Sequence, residues 1–500
     1  MVKRCKKLVC VLCVFLLMAF VFSGCSQNIT SGTNDVTTKP EGSQKVEPAE
    51  KTVIQFFSNK TGQQDYMQRM FDKYNEENDD NIEVETIWRS GDWQTGVKTS
   101  ILAGQGPTVM TGRPFDLVEG IIDGVYDSWD DYISPEFSEK YHQYKYMKEV
   151  DNVFKTYGWG YLVTTRKLIY NKDLFEMVGE TEPPASWQDF RRIAKKITEA
   201  GDGRIFGTAM PVGGGQIGLW ADTLFFPEGL PKLYDYGTGL YDFSSLVPIV
   251  EVWREIINDG SVFPGFESMD NDAVRAQFAA GNVGMLLSFS WDVSCINDQF
   301  SAECDWDAAP LPAINGVYKS KPDLRIELEN WLNNAATLKE KQAAGKFIEF
   351  FMSDEFVGGY MAEGCGIAAI DSAVEYANKQ VMRYPIMASY APYPGGVGEY
   401  TTYGNPSSTL EGDNRNVVIT HCLLDMSIDA KAVLEDCAHR YNLGILARAQ
   451  TDIEKAKQMT VKIGGLGEMP YIEGYDPMNP DFSKFRYLSI DEWSELTGIK

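Results

Sequence analysis

Histidine is nearly absent from this sequence: His142, His421 and His439 are all that 500 residues contain. Chemistry built on a histidine base therefore has little to work with. No HExxH zinc motif, GxSxG nucleophile elbow or phosphate-cradling P-loop offers another route. Positive charge is scarce as well, with 46 Lys and Arg against 71 Asp and Glu and a formal net charge of -25. No basic stripe is available to neutralise phosphates, which excludes nucleic acid as a partner. The surplus of carboxylates favours solubility near an anionic surface. Beyond Cys25 the cysteines are Cys295, Cys304, Cys365, Cys422 and Cys437, an odd set with no CxxC spacing. No metal site is expected from them. A Cys295–Cys304 or a Cys422–Cys437 disulfide stays open at this point.

The N-terminus is informative. A basic segment from Met1 to Lys7 precedes an apolar run from Leu8 to Phe22, then Ser23 and Gly24 stand before Cys25. The run is shorter than the roughly 20 residues of a membrane span and ends at small residues, so residues 1–24 read as a secretory signal outside the fold. Phe22-Ser23-Gly24-Cys25 resembles the bacterial lipobox, with Phe22 where Leu is usual. That resemblance implies a lipidated Cys25 and anchoring at the outer face of the cytoplasmic membrane. Residues 26–51 are rich in Ser, Thr, Asn, Pro, Gly and Glu and read as a flexible tether, giving a tether region of 25–51 with the anchor included.

The remainder is apolar enough to bury a large core in two lobes. Thr52–Ser58 reads as a strand. Tyr66, Met67, Met70, Phe71 and Tyr74 fall on one helical face, and 81–88 alternates as a second strand. A helix at 93–103 and a strand near 107–110 complete a βαβαβ opening, which builds a parallel sheet. Residues 158–170 are extended and apolar. Ser186 is placed to cap a helix that buries Trp187, Phe190 and Ile193. Further helices are predicted at 246–257, 272–280 and 339–352, and a strand at 283–288.

Four segments carry a resemblance. Leu102 to Val109 is similar to an A-x-G-x-x-P-D-V turn, with Thr108 in place of Asp. Leu168 to Phe175 followed by Pro184 to Trp187 resembles Y-Y-N-K-D-L-F with P-x-T-W, the most specific of the four. Phe278 to Met285 resembles F-x-x-G-K-x-A-M and leads to Ser290-Trp291. Ala309 to Pro312 and Ala343 to Phe351 resemble the P-L-P and A-A-x-x-F-I-x-F-L segments. In this order, over roughly 52–375, they resemble the sugar-type extracellular solute-binding proteins that include the maltose-binding proteins. A proline usual near residues 364–369 is missing.

The resemblance implies an α/β fold of the periplasmic-binding-protein type, with two hinged lobes and the ligand in the interlobe cleft. Lobe 1 is expected to comprise 52–162 plus 330–372, and lobe 2 to comprise 163–329 plus 373–460. Residues 461–500 form a C-terminal extension without an assigned role. Hinges are expected near Tyr161–Thr164 and Glu327–Trp331.

A neutral sugar needs flat aromatic faces and a few hydrogen-bonding groups, which loops at strand ends supply. Trp291 leads the candidates as a stacking face, and Asp292 beside it is a hydroxyl acceptor. Asn59 follows the first strand, and Arg113 and Asp116 follow the third. Trp159 is a candidate wall before a hinge strand, Trp220 a candidate on a loop of the second lobe, and Tyr393 and Tyr403 candidates from a tyrosine-rich loop at 390–403.

Gly213, Gly215 and Gly218 satisfy G-x-G-x-x-G and Asp235 follows, but Pro211 precedes them and an exported chain lacks a dinucleotide supply, so a loop is expected and no cofactor. The reading is a non-enzymatic receptor for an extracellular carbohydrate that delivers it to ABC-type permease subunits. The alternatives are an exported glycan-active enzyme with carboxylates paired across the cleft, or a receptor for a non-sugar solute.

Overall fold

The computed structural model describes residues 51–213, 217–225, 227, 234–318, 325–390, 406–459, 461–479 and 481–500, and residues 50–500 form one compact unit. The expected signal, tether and Cys25 lie outside the described residues, as do Tyr393 and Tyr403. Among the described residues no helix is long and apolar enough to cross a membrane.

The opening strands are β1 (Thr52–Ser58), β2 (Ile82–Trp88) and β3 (Val109–Met110). β1 pairs in parallel with both of the others, as the alternating strand and helix pattern requires. β4 (Tyr126–Asp127) and the late strand β14 (Trp331–Asn333) complete a five-stranded sheet in the order β2-β1-β3-β14-β4. The Gln64–Glu77 helix buries Tyr66, Met67, Met70, Phe71 and Tyr74, the face expected from their spacing. It meets the Leu338–Phe351 helix in an aromatic core, where Phe56 lies 4.9 Å from Phe71 and Phe351 lies 4.3 Å from Phe356. Such pairs add about 0.5–1.5 kcal/mol each beyond their burial. The second helix opens with a capping box: Glu340 N–H donates to Thr337 Oγ1 at 3.3 Å, and Thr337 N–H donates to Glu340 Oε2 at 2.7 Å. Gly345 lets it approach the Tyr132 carbonyl, since an added Cβ would lie 1.7 Å from that oxygen.

A second sheet contains β7 (Arg166–Asn171), β8 (Phe206–Thr208), β11 (Val283–Phe289) and β12 (Trp306–Ala309) in the order β12-β7-β11-β8. All seven residues of β11 are buried, because helices cover the sheet. Ser186 caps the Trp187–Ala200 helix by accepting from Asp189 N–H at 3.1 Å. That helix buries Trp187, Phe190 and Ile193, and Trp253 packs on Phe190 at 5.4 Å.

A third sheet is linked along the chain to both. β6 (Val153–Thr164) is twelve residues long and pairs with β5 (Lys145–Val150), β13 (Arg325–Glu329) and β15 (Ile367–Ala368). The chain leaves β6 for β7 at Thr165, and leaves β13 for β14 at Asn330. Asn330 adopts φ 63°, a left-handed conformation that Asn tolerates better than most residues, and its carbonyl accepts from Trp129 Nε1 at 2.9 Å.

The short hairpin of β9 (Tyr234–Asp235) and β10 (Leu240–Tyr241) packs near the 29-residue Ala430–Gln458 helix, and a C-terminal hairpin of β16 (Met469–Ile472) and β17 (Phe485–Leu488) joins them in a core with Trp493. Cys295, Cys304, Cys365, Cys422 and Cys437 are all free thiols, so neither disulfide left open by the sequence forms.

Candidate ligand-binding cleft

Parallel strands deliver their carboxyl-end loops to one edge of a sheet, which is where α/β folds bind ligands. In the first sheet that edge holds Asn59 and Thr111. Thr111 Oγ1 donates to Asn59 Oδ1 at 3.3 Å, which fixes the amide of the half-buried Asn59. The next residue, Lys60, places its ammonium 3.1 Å from Glu329 Oε1, and Tyr161 donates its hydroxyl to Glu329 Oε2 at 2.7 Å. This group ties the β1 loop to the strands of the third sheet.

The same loop meets the end of β11. Gln63 Nε2 donates to Ser294 Oγ at 3.2 Å, with both residues buried. A Cβ on Gly62 would lie 2.8 Å from Cys295 Sγ, so the backbone there approaches the facing turn closely. These contacts were not legible in the sequence, since Gln63 and Ser294 lie 231 positions apart.

Trp291 lies at this junction, two residues beyond β11. Its ring is half-buried and lies flat on Phe289, with centroids 4.5 Å apart and planes within 3°. The Arg166 guanidinium carbon stands 5.5 Å from the Phe289 ring centre. A flat indole with one face backed by a second ring and part of its surface open is suited to stacking on an apolar patch of a ligand. Asp292 serves it from behind. Its Oδ2 accepts from Phe289 N–H at 2.8 Å, its Oδ1 pairs with Arg275 Nη2 at 2.6 Å, and only 2% of the residue is exposed. Each oxygen therefore already has a partner, so Asp292 shapes the turn instead of offering an open acceptor.

The remaining candidates separate. Trp220 is buried 4.6 Å from Trp253 and touches a cavity of only about 20 Å³, lined also by Arg275, Phe289 and Asp292. Such a space holds a water or so, not a sugar ring. Trp159 has no exposed surface and packs edge-on against Phe137 at 5.0 Å, so in this conformation it offers no face to a solute. Arg113 and Asp116 line a different cavity, of about 350 Å³, with Tyr146, Lys148 and the C-terminal segment. There Arg113 lies over the Trp331 ring at 5.3 Å, and Asp116 caps the Leu117–Ile122 helix by accepting from the backbone of Val118 and Glu119. Tyr390, buried at the start of the tyrosine-rich loop, shares a 2.5 Å hydrogen bond with Ser288, and burial pushes its hydroxyl well above the usual tyrosine range.

Residues 58–357, more than half of the chain, match the family described as bacterial extracellular solute-binding protein. The chain belongs to that family. Similar curated proteins include putative binding proteins of Brucella abortus and Brucella suis, 25% identical over 244 residues, which cover 48% of this chain and 57% of theirs. A maltotriose-binding protein of Pyrococcus abyssi is 21% identical over 304 residues, 58% of this chain and 61% of that one. The match thus spans little more than half the length of these relatives.

Among solved structures, RafE in complex with raffinose gives a TM-score of 0.56 at 20% identity over 78% of this chain and 99% of that one. A solute-binding protein of Thermotoga lettingae bound with α-D-tagatose gives 0.59 at 17% identity over 79% and 100%. The maltose/maltodextrin-binding domain of Bdellovibrio bacteriovorus bound to maltotriose gives 0.56 at 17% over 78% and 98%. These likenesses establish the two-lobe periplasmic-binding-protein fold that the sequence motifs implied.

Proposed function

We propose that this solute-binding protein captures an extracellular carbohydrate, a mono- or oligosaccharide, and delivers it to the permease subunits of an ABC importer. The observation that carries the reading is Trp291: a half-buried indole, backed flat by Phe289, at the end of a strand and opposite the β1 loop. A sugar ring presents C–H patches that stack on such a face, while Asn59 lies in that opposing loop as a hydrogen-bonding group. Membership of the solute-binding family and similarity to proteins named for maltotriose and raffinose support the same reading.

In this proposal residues 52–162 and 330–372 make one lobe, and 163–329 and 373–460 the other. Hinges near Tyr161–Thr164 and Glu327–Trp331 let the lobes close on the ligand, and the closed form is what the permease recognises. Cys25 carries the lipid anchor at the outer face of the cytoplasmic membrane, and residues 26–51 tether the lobes to it.

The test is calorimetric titration of the protein from residue 50 onward with maltose, maltotriose, raffinose and xylo-oligosaccharides, followed by analysis of the sugar. One-to-one binding with the sugar recovered intact is expected. Hydrolysed sugar would make the protein a glycan-active enzyme, and binding only of amines, peptides or oxyanions would replace the solute class.

A further inference from the structure

Strand β11 is apolar for most of its length, yet where its end meets the crossover from β6 to β7 four hydroxyls are buried together, those of Ser288, Ser290, Thr165 and Tyr390. Apolar side chains of similar size would fill that space without desolvating a hydroxyl. The hydrogen bonds that offset this desolvation fix one arrangement of the segments that meet there.

Ser290 stands at the centre. Its N–H donates to the Thr165 carbonyl at 3.0 Å, which carries the pairing of β7 with β11 one step past Arg166 and Phe289. Its hydroxyl reaches both sides of the joint: Oγ donates to Val163 O at 3.4 Å and accepts from Thr165 N–H at 3.4 Å. Val163 belongs to β6 and Thr165 lies between β6 and β7, so these two contacts straddle Thr164. Both are longer than the roughly 2.7–3.2 Å of a well-formed hydrogen bond, so a small rotation about Thr164 decides whether they persist. Thr165 is also held by its own side chain. Its Oγ1 donates to the Tyr390 carbonyl at 2.8 Å, and the Tyr390 hydroxyl shares a 2.5 Å hydrogen bond with Ser288, which closes the ring of contacts back onto β11.

Trp291 emerges directly from this ring. It is joined to the crossover twice, through the backbone by Ser290 and through its stack on Phe289, whose ring centre lies 5.5 Å from the Arg166 guanidinium carbon.

We propose that Ser290 is a positioning residue of the sugar site: its hydroxyl fixes the Trp291 face relative to the Val163–Arg166 crossover, so that stacking of a sugar and movement of the lobes act on one joint. Thr165 is its partner in that role. This role rests on the stacking site and the hinge of the proposed function, and adds the residues that connect them.

The protein from residue 50 onward is titrated by calorimetry with maltose, maltotriose, raffinose and xylo-oligosaccharides, as wild type, Ser290→Ala, Trp291→Ala and the Ser290→Ala/Trp291→Ala double variant. Melting curves check that each variant folds. Ser290→Ala keeps the Trp291 ring and the backbone bond to Thr165, and is expected to weaken the sugar that wild type binds best by about tenfold, the scale of a lost buried hydrogen bond. Trp291→Ala is expected to weaken it about 30-fold and the double variant no further, because a residue that acts through Trp291 then has nothing left to position. Independent losses would instead multiply to about 300-fold. Thr165→Val, which removes the Oγ1 bond to Tyr390, is expected to show the same dependence on Trp291 and gives the same test if Ser290→Ala does not fold. Thr208→Val deletes another buried hydroxyl, one that donates to Met285 O at 3.0 Å from a strand that pairs with neither β6 nor β7, and is expected to bind as wild type does. Affinity within about twofold of wild type in folded Ser290→Ala, losses that multiply in the double variant, or an equal loss in Thr208→Val overturns the inference and leaves the carbohydrate reading standing. A protein that binds no sugar overturns both.

Discussion

Replacing Trp291 by alanine removes the feature on which the proposed function most depends. The ring is stacked on Phe289 at 4.5 Å and is only half-buried, so its deletion has two separable costs. The folded protein loses one stacked aromatic pair, worth about 0.5–1.5 kcal/mol. The complex loses in addition the face on which the sugar rests, and truncation of a central aromatic anchor in a binding site costs about 2 kcal/mol or more. The expected result is a dissociation constant raised about 30-fold, with melting lowered by only a few degrees. Trp291→Tyr retains a flat face and should fall between wild type and alanine. Titration calorimetry with the best sugar ligand and differential scanning calorimetry on the same samples give both quantities. Affinity within about twofold of wild type in a folded Trp291→Ala protein would refute the stacking argument.

Four further outcomes follow from other parts of the structure. Gly345→Ala forces a methyl group to 1.7 Å from the Tyr132 carbonyl oxygen and should cost about 3 kcal/mol in urea unfolding. Glu329→Gln removes the carboxylate charge that faces the Lys60 ammonium at 3.1 Å, where the two side chains are 13% and 11% exposed, and should lower stability by about 1–3 kcal/mol, with part of the loss recovered in the Lys60→Met/Glu329→Gln double variant. Burial pushes the Lys167 ammonium from 10.5 down to about 8, so the folded state gives up this proton before the unfolded state does. Wild-type stability should therefore rise as pH increases from 8 to 10.5, and Lys167→Met should be more stable below pH 8, by at most about 3 kcal/mol, and lack that rise. The chain from residue 50 onward should show five titratable thiols when unfolded, with Cys304 reacting first in the folded state, and slowly, because the other four are buried and partial burial pushes its own thiol up to about 11.

Periodicity made much of this fold legible. The Gln64–Glu77 face, the Ser186 cap and the β1-β2-β3 opening follow from local patterns of apolar spacing and capping chemistry, which the tertiary structure leaves intact. The extended character of residues 158–170 was readable too, but not the division at Thr165 between two sheets, because a strand buried on both faces carries no alternation to mark its partners. The site was legible only in part. Trp159 and Trp291 both lie in or beside strands and look alike in sequence; one packs on Phe137 in a core and the other keeps a face open, a difference fixed by packing from distant segments. The Gln63–Ser294 contact joins segments far apart in sequence. The placement of the C-terminal segment was hidden because its strands are four residues each and pair with each other, while its anchors lie near positions 150 and 236.

The most direct test of the account is a thermal-shift screen of the protein from residue 50 onward against neutral and acidic mono- and oligosaccharides, amino acids, polyamines and oxyanions, with ligand recovery checked afterwards. A solute that binds the folded state raises its melting temperature in proportion to occupancy. The account predicts a rise with a carbohydrate, absent in Trp291→Ala at the same concentration, and the sugar recovered unchanged. A rise produced only by non-sugar solutes, or consumption of the sugar, would contradict it.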